Sequence, residues 1–590
     1  MLPIPKIKTR QPQTEVERDG IAQGLHPLVA RILASRPLPP GMRAHELLAL
    51  KLNDLEHPNR MRDMQKAALR VAQAVIAGEI IALETDHDCD GQTSHAVLYS
   101  NLAQHFKHPI DKLQSYIGHR LTEGYGLSAA VAARILAHDP RPSLVITADN
   151  GSADEPRIKQ LKDAGIDVIV TDHHAVPVTE LPVSAYAFIN PTRVDCNYTD
   201  KYIAGCMVAW LLMAATRQVL IEREFLPSTA PKLLDSLDYV AVGTIADCVS
   251  IARSKNNRPV VNYGLQLISR GTRPCWRVLR PLLSDPVNAE DLAFKVGPLL
   301  NSDGRLASAF GSVNFLLTNS DAEAATQVVE LQQQNQQRKL IQHNITTQSL
   351  LQALEQVQQR QFSICLYLEH GHVGVHGISA SKIKDYFGRP TAIFALKVGM
   401  AENIISGSIR TVDGFHVRNG LQYIADAAPG VLIAFGGHQG AGGVTLRLAD
   451  FAKFSALFEQ AVAQQLKASD LGPVIWTDGE LGSKNINLDI LETLKSLEPF
   501  GREFEQPVFN VNAVVLALSV IGDGTHARIV LDIDGKPQRG VWFNFRQTNT
   551  DPLPVAVGDS VVAVFALKLN AYAGKRTCEL QIHMLQRRAV

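Results

Sequence analysis

The sequence of 590 residues predicts an α/β protein in which a parallel-sheet domain comes first, a long helix leads to a second α/β domain, and a β-barrel ends the chain. Three observations support this fold class. Short apolar runs alternate with amphipathic runs between residues 80 and 190, which is typical of a buried parallel sheet. Residues 326–361 contain no Gly or Pro, which predicts one continuous helix. After Pro473, short β-rich runs are separated by Gly, Asp and Asn turns.

Four apolar runs predict the strands of the first sheet, and each is followed by polar residues. The segments between them have helical spacing, and one of these helices is predicted to end at Gly165. In open α/β sheets, sites form at the carboxyl ends of the strands, so we expect the polar residues there to carry the function. The four runs are EIIALET at 79–85, PSLVITA at 142–148, IDVIV at 166–170 and AYAFIN at 185–190.

The other segments complete the predicted domain organisation. From residue 200 the sheet domain continues as mostly helical sequence. The Gln-rich segment after it predicts a connecting helix, with a coiled-coil partner helix as the alternative. The predicted domains are a partly helical lead-in at 1–65, the parallel-sheet domain at 66–320, the connecting helix at 321–361, the second α/β domain at 362–470 and the barrel at 471–590.

The composition excludes several classes of protein. Lys and Arg total 58, and Asp and Glu total 58, so the net charge is zero and any path for nucleic acid must be local. The seven cysteines contain no C-x-x-C pair, which favours a reducing compartment over a disulfide framework. The N-terminus lacks the apolar run of a signal peptide, and no 18-residue apolar run is free of charges. We therefore expect a cytoplasmic protein without a membrane span.

The segment DHDCDG at 86–91 carries three aspartates at alternate positions. The same pattern begins an EF-hand calcium loop, but position 12 of that loop must supply a glutamate and is Val97 in this chain. The preceding run is also β-like, whereas a helix precedes an EF-hand loop. The sequence therefore argues against a calcium loop.

If this segment is extended, Asp86, Asp88 and Asp90 lie on one face and His87 and Cys89 on the other. Three carboxylates on one face repel one another and are unfavourable without cations. A solvated acidic turn would explain one such cluster, but it does not explain the similar polar motifs elsewhere in the domain. We therefore interpret the segment as part of a metal site.

Three more polar motifs occur where we expect the ends of strands. Mixed carboxylate and imidazole ligands suit Mg²⁺ or Mn²⁺, and no set of thiolates is spaced for zinc, so we expect Cys89 and Cys248 to be packing residues. A two-metal site holds its ions about 3.5–4 Å apart and supports an in-line displacement at phosphorus. The residues in these motifs are Asp149, Asp172, His173, His174 and Asp247.

The order of these motifs resembles that of the DHH phosphoesterases. DHDCDG, TADNGS, TDHH and GTIADCVS are similar to motifs I to IV, and GGHQGAGG at 436–443 is similar to the motif of the DHH-associated domain. IGHRLTEGYGL, LLNSDGRLAS, SGSIRT and LEPFGREFEQPVF narrow the resemblance to the RecJ family, bacterial single-strand-specific 5′→3′ exonucleases. The resemblance covers residues 60–590.

The resemblance implies a centre that binds two Mn²⁺ or Mg²⁺ ions. Asp86 would lie in or beside the ligand shell, His174 would face the scissile phosphate, and Asp172 would orient the histidines. The chain departs from the family at Glu84 and Thr85, where RecJ-like sequences often have His-Gly. The implied metal ligands are Asp88, Asp90, Asp149, His173 and Asp247.

The resemblance also implies recognition of a strand end. Arg120, Ser408 and Arg410 match positions that hold the terminal 5′-phosphate, and a guanidinium group can bind phosphate through two hydrogen bonds. The other residues implied to contact the substrate are His438, Gly436, Gly437, Asn301 and Arg305.

The C-terminal β segment fits an OB-fold, a barrel that binds single strands through stacking aromatic rings and cations. Its candidate rings are Trp542, Phe543, Phe545 and Tyr572, and strand alternation predicts that at least half of them pack in the core.

The implied function is two-metal hydrolysis of single-stranded DNA to 5′-mononucleotides in recombination and repair. The implied partners are single-stranded DNA with a 5′ end, a single-strand-binding protein and a RecQ-like helicase, and we expect a monomer. Alternatives are a DHH phosphodiesterase for short oligonucleotides and a non-catalytic DHH scaffold at replication forks. The predicted barrel disfavours the first, and the retained carboxylates disfavour the second.

Overall fold

The computed structural model divides into two compact units. The first unit contains Leu52–Val249 and Asn256–Pro473, and the second contains Pro5–Lys51, Ser250–Lys255 and the chain from Val474 onward. The structure describes residues 3–120, 122–177, 181–306, 308–397, 403–546, 548–572 and 574–588.

Seventeen strands and nineteen α-helices are defined in the described residues. The strands are β1 (Lys6–Thr9), β2 (Ile81–Thr85), β3 (Leu113–Ile117), β4 (Leu144–Ala148), β5 (Asp167–Thr171), β6 (Ala187–Ile189), β7 (Ile364–Tyr367), β8 (Thr391–Leu396), β9 (Ile404–Arg410), β10 (Leu432–Gly437), β11 (Ala441–Arg447), β12 (Val474–Thr477), β13 (Phe509–Ile521), β14 (His526–Ile533), β15 (Lys536–Trp542), β16 (Ser560–Tyr572) and β17 (Lys575–Arg587). The helices are α1 (Thr14–Ala22), α2 (Pro27–Ala34), α3 (Ala44–Ala49), α4 (Met64–Ala77), α5 (Cys89–Ser100), α6 (Ala129–Ala137), α7 (Glu155–Asp163), α8 (Gly205–Glu222), α9 (Leu237–Ala246), α10 (Asn257–Ser269), α11 (Pro274–Leu279), α12 (Ala289–Asp291), α13 (Gly297–Leu306), α14 (Phe310–Leu317), α15 (Asp321–Gln358), α16 (His376–Phe387), α17 (Val417–Ala427), α18 (Phe451–Gln465) and α19 (Leu488–Lys495).

The first sheet has the order β3-β2-β4-β5-β6, and all of its neighbouring strands are parallel. Every residue of β2 and β4 is buried, as expected for strands covered on both faces by helices. The four predicted strands are confirmed. The edge strand β3 was not predicted, because its residues, LQSYI, are partly exposed and partly polar.

The register of this sheet aligns three strand ends. Thr85 of β2 pairs with Ala148 of β4, and Ala148 pairs with Thr171 of β5. Each polar motif begins at the next residue. The parallel sheet therefore places all three motifs at one edge, as the sequence pattern predicts.

Among the described residues, one helix, α8, is long and apolar enough to cross a membrane by length and composition. However, 72% of the 18-residue window that meets this criterion is buried inside the protein, so α8 is a core helix. The predicted connecting helix is confirmed as α15, whose 38 residues span about 57 Å at 1.5 Å per residue. Its first turn is capped by Ser320, whose hydroxyl accepts a hydrogen bond from the backbone N–H of Glu323.

The second sheet of the unit has the order β10-β11-β9-β8-β7. Strands β7 and β8 are parallel, whereas the pairs β8–β9, β9–β11 and β10–β11 are antiparallel. Helices α17 and α18 pack on it through a core that includes Phe394, Phe454 and Phe458. This arrangement places Ser408 and Arg410 at the end of β9, and it places His438 directly after β10.

The second unit contains a closed five-stranded barrel in the order β13-β14-β15-β17-β16, which confirms the predicted C-terminal barrel. The N-terminal segment, for which the sequence predicts an irregular lead-in, contributes strand β1, which pairs in parallel with β12. A buried ion pair between Arg36 and Asp478, 2.6 Å from Nη1 to Oδ1, also joins the N-terminal segment to the residues before the barrel.

Candidate functional site

The motif at the end of β2 is not extended, so the prediction of three aspartates on one extended face is wrong. Helix α5 begins at Cys89, and the Oδ1 atom of Asp88 caps it by accepting hydrogen bonds from the backbone N–H groups of Asp90 (2.9 Å) and Gly91 (3.2 Å). Asp86 therefore belongs to the strand end, Asp88 to the helix cap and Asp90 to the first helical turn. Because Asp88 caps a helix, the residues after it are helical, and their side chains do not alternate between two faces as they would in an extended chain.

Asp90 is held by the N-terminus of α8. Its Oδ2 accepts a hydrogen bond from the backbone N–H of Gly205 (2.6 Å), and its Oδ1 accepts one from Cys206 (3.0 Å). Helix N-termini stabilise negative charge, so they are favourable positions for a carboxylate. Position 205 must be glycine, because a Cβ there would lie 2.7 Å from the Cβ of Asp149.

Asp149 follows β4 with φ of 65°, a left-handed conformation that is uncommon outside glycine. Its backbone N–H donates to the carbonyl of Thr171 (3.0 Å), which fixes this conformation at the strand end. The carboxylate then points toward the histidines that follow β5. Strain at such a position is a feature of functional sites.

The prediction of a strand end is wrong for Asp247, which follows the C-terminus of helix α9. Almost every residue of α9 is buried, so this helix is apolar on all sides and resembles a buried strand in sequence. Cys248 is exposed at φ of 58°, so the prediction that it packs in the core is also wrong, whereas Cys89 is buried as predicted.

His173 lies at the centre of the acidic residues. Its Nε2 is 3.1 Å from Asp149 Oδ1, 3.6 Å from Asp247 Oδ2 and 3.7 Å from Asp90 Oδ2. Three overlapping groups bring their potential ligand atoms within 4.8 Å of one another, and Asp149 belongs to two of them. The groups are Asp149, His173 and His174; Asp90, His173 and Asp247; and Asp86, Asp88 and Asp149.

The chemistry of these residues fits divalent cations. Oδ1 of Asp149 and Nε2 of His173 are buried and 3.1 Å apart, but neither atom forms a hydrogen bond of acceptable geometry with any described residue. Burial and the neighbouring carboxylates raise the pKa of Asp149 well above its usual range, and they also raise the pKa of Asp88. Burial lowers the pKa of His173, so this imidazole is neutral and can donate its lone pair to a metal ion. Cations would satisfy the two unpaired atoms and offset the repulsion between the carboxylates.

Asp172 orients the two histidines. One of its oxygens, Oδ1, accepts from the backbone N–H groups of His173 (2.7 Å) and His174 (3.0 Å) and lies 2.8 Å from Nδ1 of His174. Its other oxygen accepts from the backbone N–H of Ser152 (3.0 Å). Burial would lower the pKa of His174, but the charge of Asp172 raises it to about 10. His174 is therefore a cation at neutral pH in the metal-free site.

Two further rings enclose His174. The predicted residue His438 stacks against it, with ring centroids 6.1 Å apart and an interplanar angle of 20°. Tyr125, which the sequence analysis did not single out, places its hydroxyl 3.2 Å from Nε2 of His174. The feature of the sequence that could have indicated Tyr125 is its position between two glycines in HRLTEGYGL. Gly437 has φ of 143° and a Cβ there would meet Ala441, whereas the space beside Gly436 is open.

Glu84, the residue that replaces the family histidine, is fully buried in β2. Burial and the charges of Asp154 and Asp86 raise its pKa well above the usual range, which favours the protonated form. Its Oε1 is 3.4 Å from Nδ2 of Asn150, which follows Asp149. Glu84 thus supports the loop of Asp149 from behind.

A basic cluster, which consists of Arg120, Arg305 and Arg410, lies in the same unit. Burial and the charges of Arg120 and other arginines lower the pKa of Arg305 to about 9, and burial and Arg120 also lower that of Arg410. Within the described part of the chain, no carboxylate forms an ion pair with any of the three. Half-buried guanidinium groups without carboxylate partners are suited to binding an anion.

Helix α16 begins beside this basic cluster. A Cβ at Gly377, in its first turn, would lie 3.0 Å from Nη2 of Arg410 and 3.3 Å from Oγ of Ser408. Glycine at this position therefore lets Arg410 and Ser408 approach the start of the helix, where the backbone N–H groups of Ile378 and Ser379 already donate to the carbonyl of Val375. Asn301 accepts a hydrogen bond at its Oδ1 from the backbone N–H of Cys89 (3.0 Å), so it holds the start of α5.

The barrel presents one of its candidate rings to solvent. Phe543 is 52% exposed, whereas Trp542 is buried and packs against the half-buried Phe545. The side chain of Tyr572 lies outside the described residues. Phe543 lines a shallow groove with Val541 and Lys568.

Three family models match the chain. They are the DHH family N-terminal domain at residues 80–244, the DHHA1 domain at residues 361–464 and the RecJ OB domain at residues 477–584.

Curated relatives match nearly the whole chain. The single-stranded-DNA-specific exonuclease RecJ of Haemophilus influenzae is 33% identical, with 95% of this chain and 96% of the relative covered. The protein of the same name from Escherichia coli is 31% identical, with 98% of both chains covered.

Solved structures share the fold. A crystal structure of RecJ in complex with Mn²⁺ from Thermus thermophilus has a TM-score of 0.78 at 25% identity and covers 99% of this chain and 80% of that chain. A crystal structure of exonuclease RecJ bound to manganese is 28% identical, with a TM-score of 0.57 over 70% of this chain and 98% of that chain.

Proposed function

The chain belongs to the RecJ family of single-stranded-DNA-specific exonucleases, and on that premise we propose that it digests single strands from the 5′ end and releases 5′-mononucleotides. The exonuclease activity on single-stranded DNA and its dependence on metal ions follow from this membership, together with the metal-compatible acidic centre. The observation that carries the direction of digestion is the basic cluster, which lacks carboxylate partners among the described residues.

Asp88, Asp90, Asp149, His173 and Asp247 are the residues we propose as ligands of two Mn²⁺ or Mg²⁺ ions. One solved structure of RecJ is a complex with Mn²⁺ and another is a complex with Mg²⁺, and the carboxylate and imidazole donors of this chain suit both metals. When bound, such ions lower the pKa of a water molecule and stabilise charge on the attacking and leaving oxygens. Asp149, which is shared by two of the three groups, is the candidate for bridging both ions.

The chain's own residues contribute charge and orientation to this reaction. His174, held as a cation by Asp172, would face the phosphate and stabilise negative charge that develops on it or on the leaving 3′-oxygen. Tyr125 and His438 both contact the ring of His174 and would help to orient it. Asp86 lies beside the same centre, and its contact with the ring of His87 lowers its pKa in spite of burial.

The basic cluster supplies a reason for digestion from the 5′ end. A 5′-terminal phosphate carries about two negative charges, whereas a phosphodiester carries one, so clustered guanidinium groups prefer the terminal group. Arg120, Arg305 and Arg410 with Ser408 and the start of α16 form the site that we propose for it. A strand anchored there would present its first phosphodiester bond to the metal centre.

The barrel and the cellular setting complete the proposal. The match of the barrel to the RecJ OB domain supports a role in holding the single strand through exposed rings such as Phe543. We further propose that the protein acts as a cytoplasmic monomer in recombination and repair, after a RecQ-like helicase has opened a duplex and alongside a single-strand-binding protein. The relatives and the barrel favour this function over cleavage of short oligonucleotides or a non-catalytic scaffold.

Digestion of matched single-stranded and duplex DNA with Mn²⁺, with Mg²⁺ and with chelator tests this function. We expect 5′-mononucleotides from the single strand with either metal, no digestion with chelator, and slow digestion of a blunt duplex. Equal digestion of both substrates would contradict the strand selectivity, and release of dinucleotides or longer fragments would contradict the proposed product.

A further inference from the structure

His87 lies between the metal centre and the basic cluster. Its Nδ1 is 2.9 Å from Oδ1 of Asp86, and its Nε2 is 3.2 Å from Nη1 of Arg120. The side chain is buried, with only 4% of the residue exposed. One imidazole ring therefore contacts both Asp86 at the metal centre and Arg120 in the basic cluster.

The chemistry of the partners determines the state of this ring. A guanidinium group only donates hydrogen bonds, so Nε2 must accept from Arg120 through its lone pair. With Nε2 accepting, the ring proton lies on Nδ1, 2.9 Å from Oδ1 of Asp86. This is the arrangement in which a carboxylate fixes the tautomer of a metal-binding histidine, with the guanidinium of Arg120 in the place of the metal.

The backbone of His87 is fixed as firmly as its ring. Its carbonyl oxygen accepts a hydrogen bond from Nε2 of Gln92 (2.9 Å). Gly304 packs directly on the same carbonyl, since a Cβ at that position would lie 2.0 Å from it. Gly304 immediately precedes Arg305 in α13, so one contact positions both His87 and a second arginine of the basic cluster.

Arg120 needs such a support. It lies in the loop between β3 and α6, and an arginine side chain loses about 2 kcal/mol of rotamer entropy when it is held in one position. A carboxylate would hold it but would also compete with phosphate for its charge. The imidazole of His87 holds the guanidinium through Nε2 without placing a negative charge beside it.

We propose that His87 is a positioning residue that holds Arg120 for the 5′-terminal phosphate and couples this hold to Asp86 at the metal centre. The inference rests on the proposed function, in which the basic cluster binds that phosphate. If His87 only filled space in the core, its two ring nitrogens would not need different partners.

Two substitutions separate the two contacts of the ring. His87→Asn keeps a polar group at the position of Nδ1, beside Asp86, but is too short to reach Arg120. His87→Gln places an amide oxygen near the position of Nε2 and can still accept from Arg120. The readout is the ratio of kcat/KM for 5′-phosphorylated over 5′-hydroxyl single strands of the same sequence.

We expect His87→Asn to lower this ratio roughly tenfold, the effect of one hydrogen bond to a charged group, through KM for the phosphorylated strand. His87→Gln should retain most of the ratio. His108→Phe is the control. His108 is a buried histidine that lies next to Glu79, just before β2, and Lys112, just before β3, so its replacement should leave the ratio unchanged.

The outcomes distinguish the inference from the proposed function. A wild-type ratio near one contradicts the proposed end-binding cluster and the role of His87 with it. A wild-type preference that His87→Asn retains, or an equal loss on both substrates, overturns the role of His87 alone. An unchanged ratio in His87→Asn together with a raised requirement for Mn²⁺ would also overturn it, because His87 would then serve only Asp86.

Discussion

The first unit contains two clusters of like charge, one acidic and one basic, and they are built in opposite ways. The acidic residues follow three aligned strand ends and one helix end, so short motifs of the sequence supply them. The basic cluster takes one residue each from a loop, from α13 and from β9, which are separated by up to 290 residues. Both clusters are unfavourable alone, and each is suited to a ligand of the opposite charge.

This difference indicates that the two clusters have separate functions. The acidic centre requires cations, acts on the phosphate that is cleaved and should matter for every substrate. The basic cluster requires an anion and should matter only for the strand end. Substitutions in the acidic centre are therefore expected to reduce activity on every substrate, whereas substitutions in the basic cluster should change only the preference for the strand end.

The largest effect is expected for Asp149→Asn, which removes the carboxylate that belongs to two ligand groups. Activity on 5′-phosphorylated and 5′-hydroxyl strands should fall alike, on the order of 10³-fold or more. Without metal, the variant should be more stable than wild type, because burial and neighbouring carboxylates raise the pKa of Asp149, so its ionised form destabilises the folded state at neutral pH. Rates of digestion and thermal unfolding without metal measure both effects.

Asp163→Asn is the matched control for this substitution. Asp163 is exposed near the end of α7, where it pairs only with Lys159 among the described residues. Wild-type activity and stability are expected for it. Full activity of Asp149→Asn would contradict the assignment of the acidic centre.

A smaller effect is expected for Asp172→Asn, which removes the charge that holds His174 as a cation. The pKa of His174 should fall from about 10 toward its usual range, so the cation is lost as pH rises through the new value. Activity at neutral pH should drop roughly 10–100-fold, and the drop should deepen with rising pH. The pH dependence of kcat from pH 5.5 to 9 tests this, and a uniform loss at every pH would argue against a cationic role for His174.

An effect on one substrate class is expected for Arg410→Lys. Lysine keeps the charge but loses the planar fork that binds phosphate bidentately. The preference for 5′-phosphorylated strands should fall about tenfold, whereas digestion of 5′-hydroxyl strands should change little. Competition between the two substrates in one reaction measures the preference directly.

The matched control for Arg410→Lys is Arg447→Lys. Arg447 is an exposed arginine at the end of β11. This control substitution should leave the preference unchanged. If Arg410→Lys slowed digestion of both substrates equally, the separation between the acidic and basic clusters would be lost.

The smallest effect is expected outside both clusters, for Phe543→Ala on the barrel. Stacking of a base on an aromatic ring contributes about 1–3 kcal/mol, so the Kd for a long single strand should rise several-fold or more. The end preference and kcat should not change. The control is Phe294→Ala, since Phe294 is in the first unit and is 76% exposed. If both variants weakened binding of the single strand equally, Phe543 would have no special role.

Much of the fold and of the acidic centre could be predicted from the sequence, because the information is local. Buried parallel strands are unbroken apolar runs, and each strand end is followed directly by its functional residues, as at Asp149 and His173. The start of α5 could not be placed, since capping by Asp88 competes with extension, and α9 could not be told from a strand because it is apolar on all sides. Strand β1 pairs with a strand 468 residues away, a contact with no local signal.

The basic cluster shows the same limit at the functional site. Arg120, Ser408 and Arg410 were predicted only through the family motifs, since no property of one arginine in a sequence marks it as unpaired in the fold. The contacts of Tyr125 with His174 and of His87 with Arg120 join residues that no pattern connects. Only the structure reveals which side chains lack a carboxylate partner.

The central claim is that the basic cluster and the acidic centre together make digestion start at the 5′ end. Single strands of one sequence, blocked at either the 5′ or the 3′ terminus by a bulky group and labelled internally, test it most directly with Mn²⁺ present. The account predicts that a 5′ block stops the release of mononucleotides, whereas a 3′ block leaves the initial rate unchanged. Continued release from the 5′-blocked strand, together with protection by the 3′ block, would contradict it.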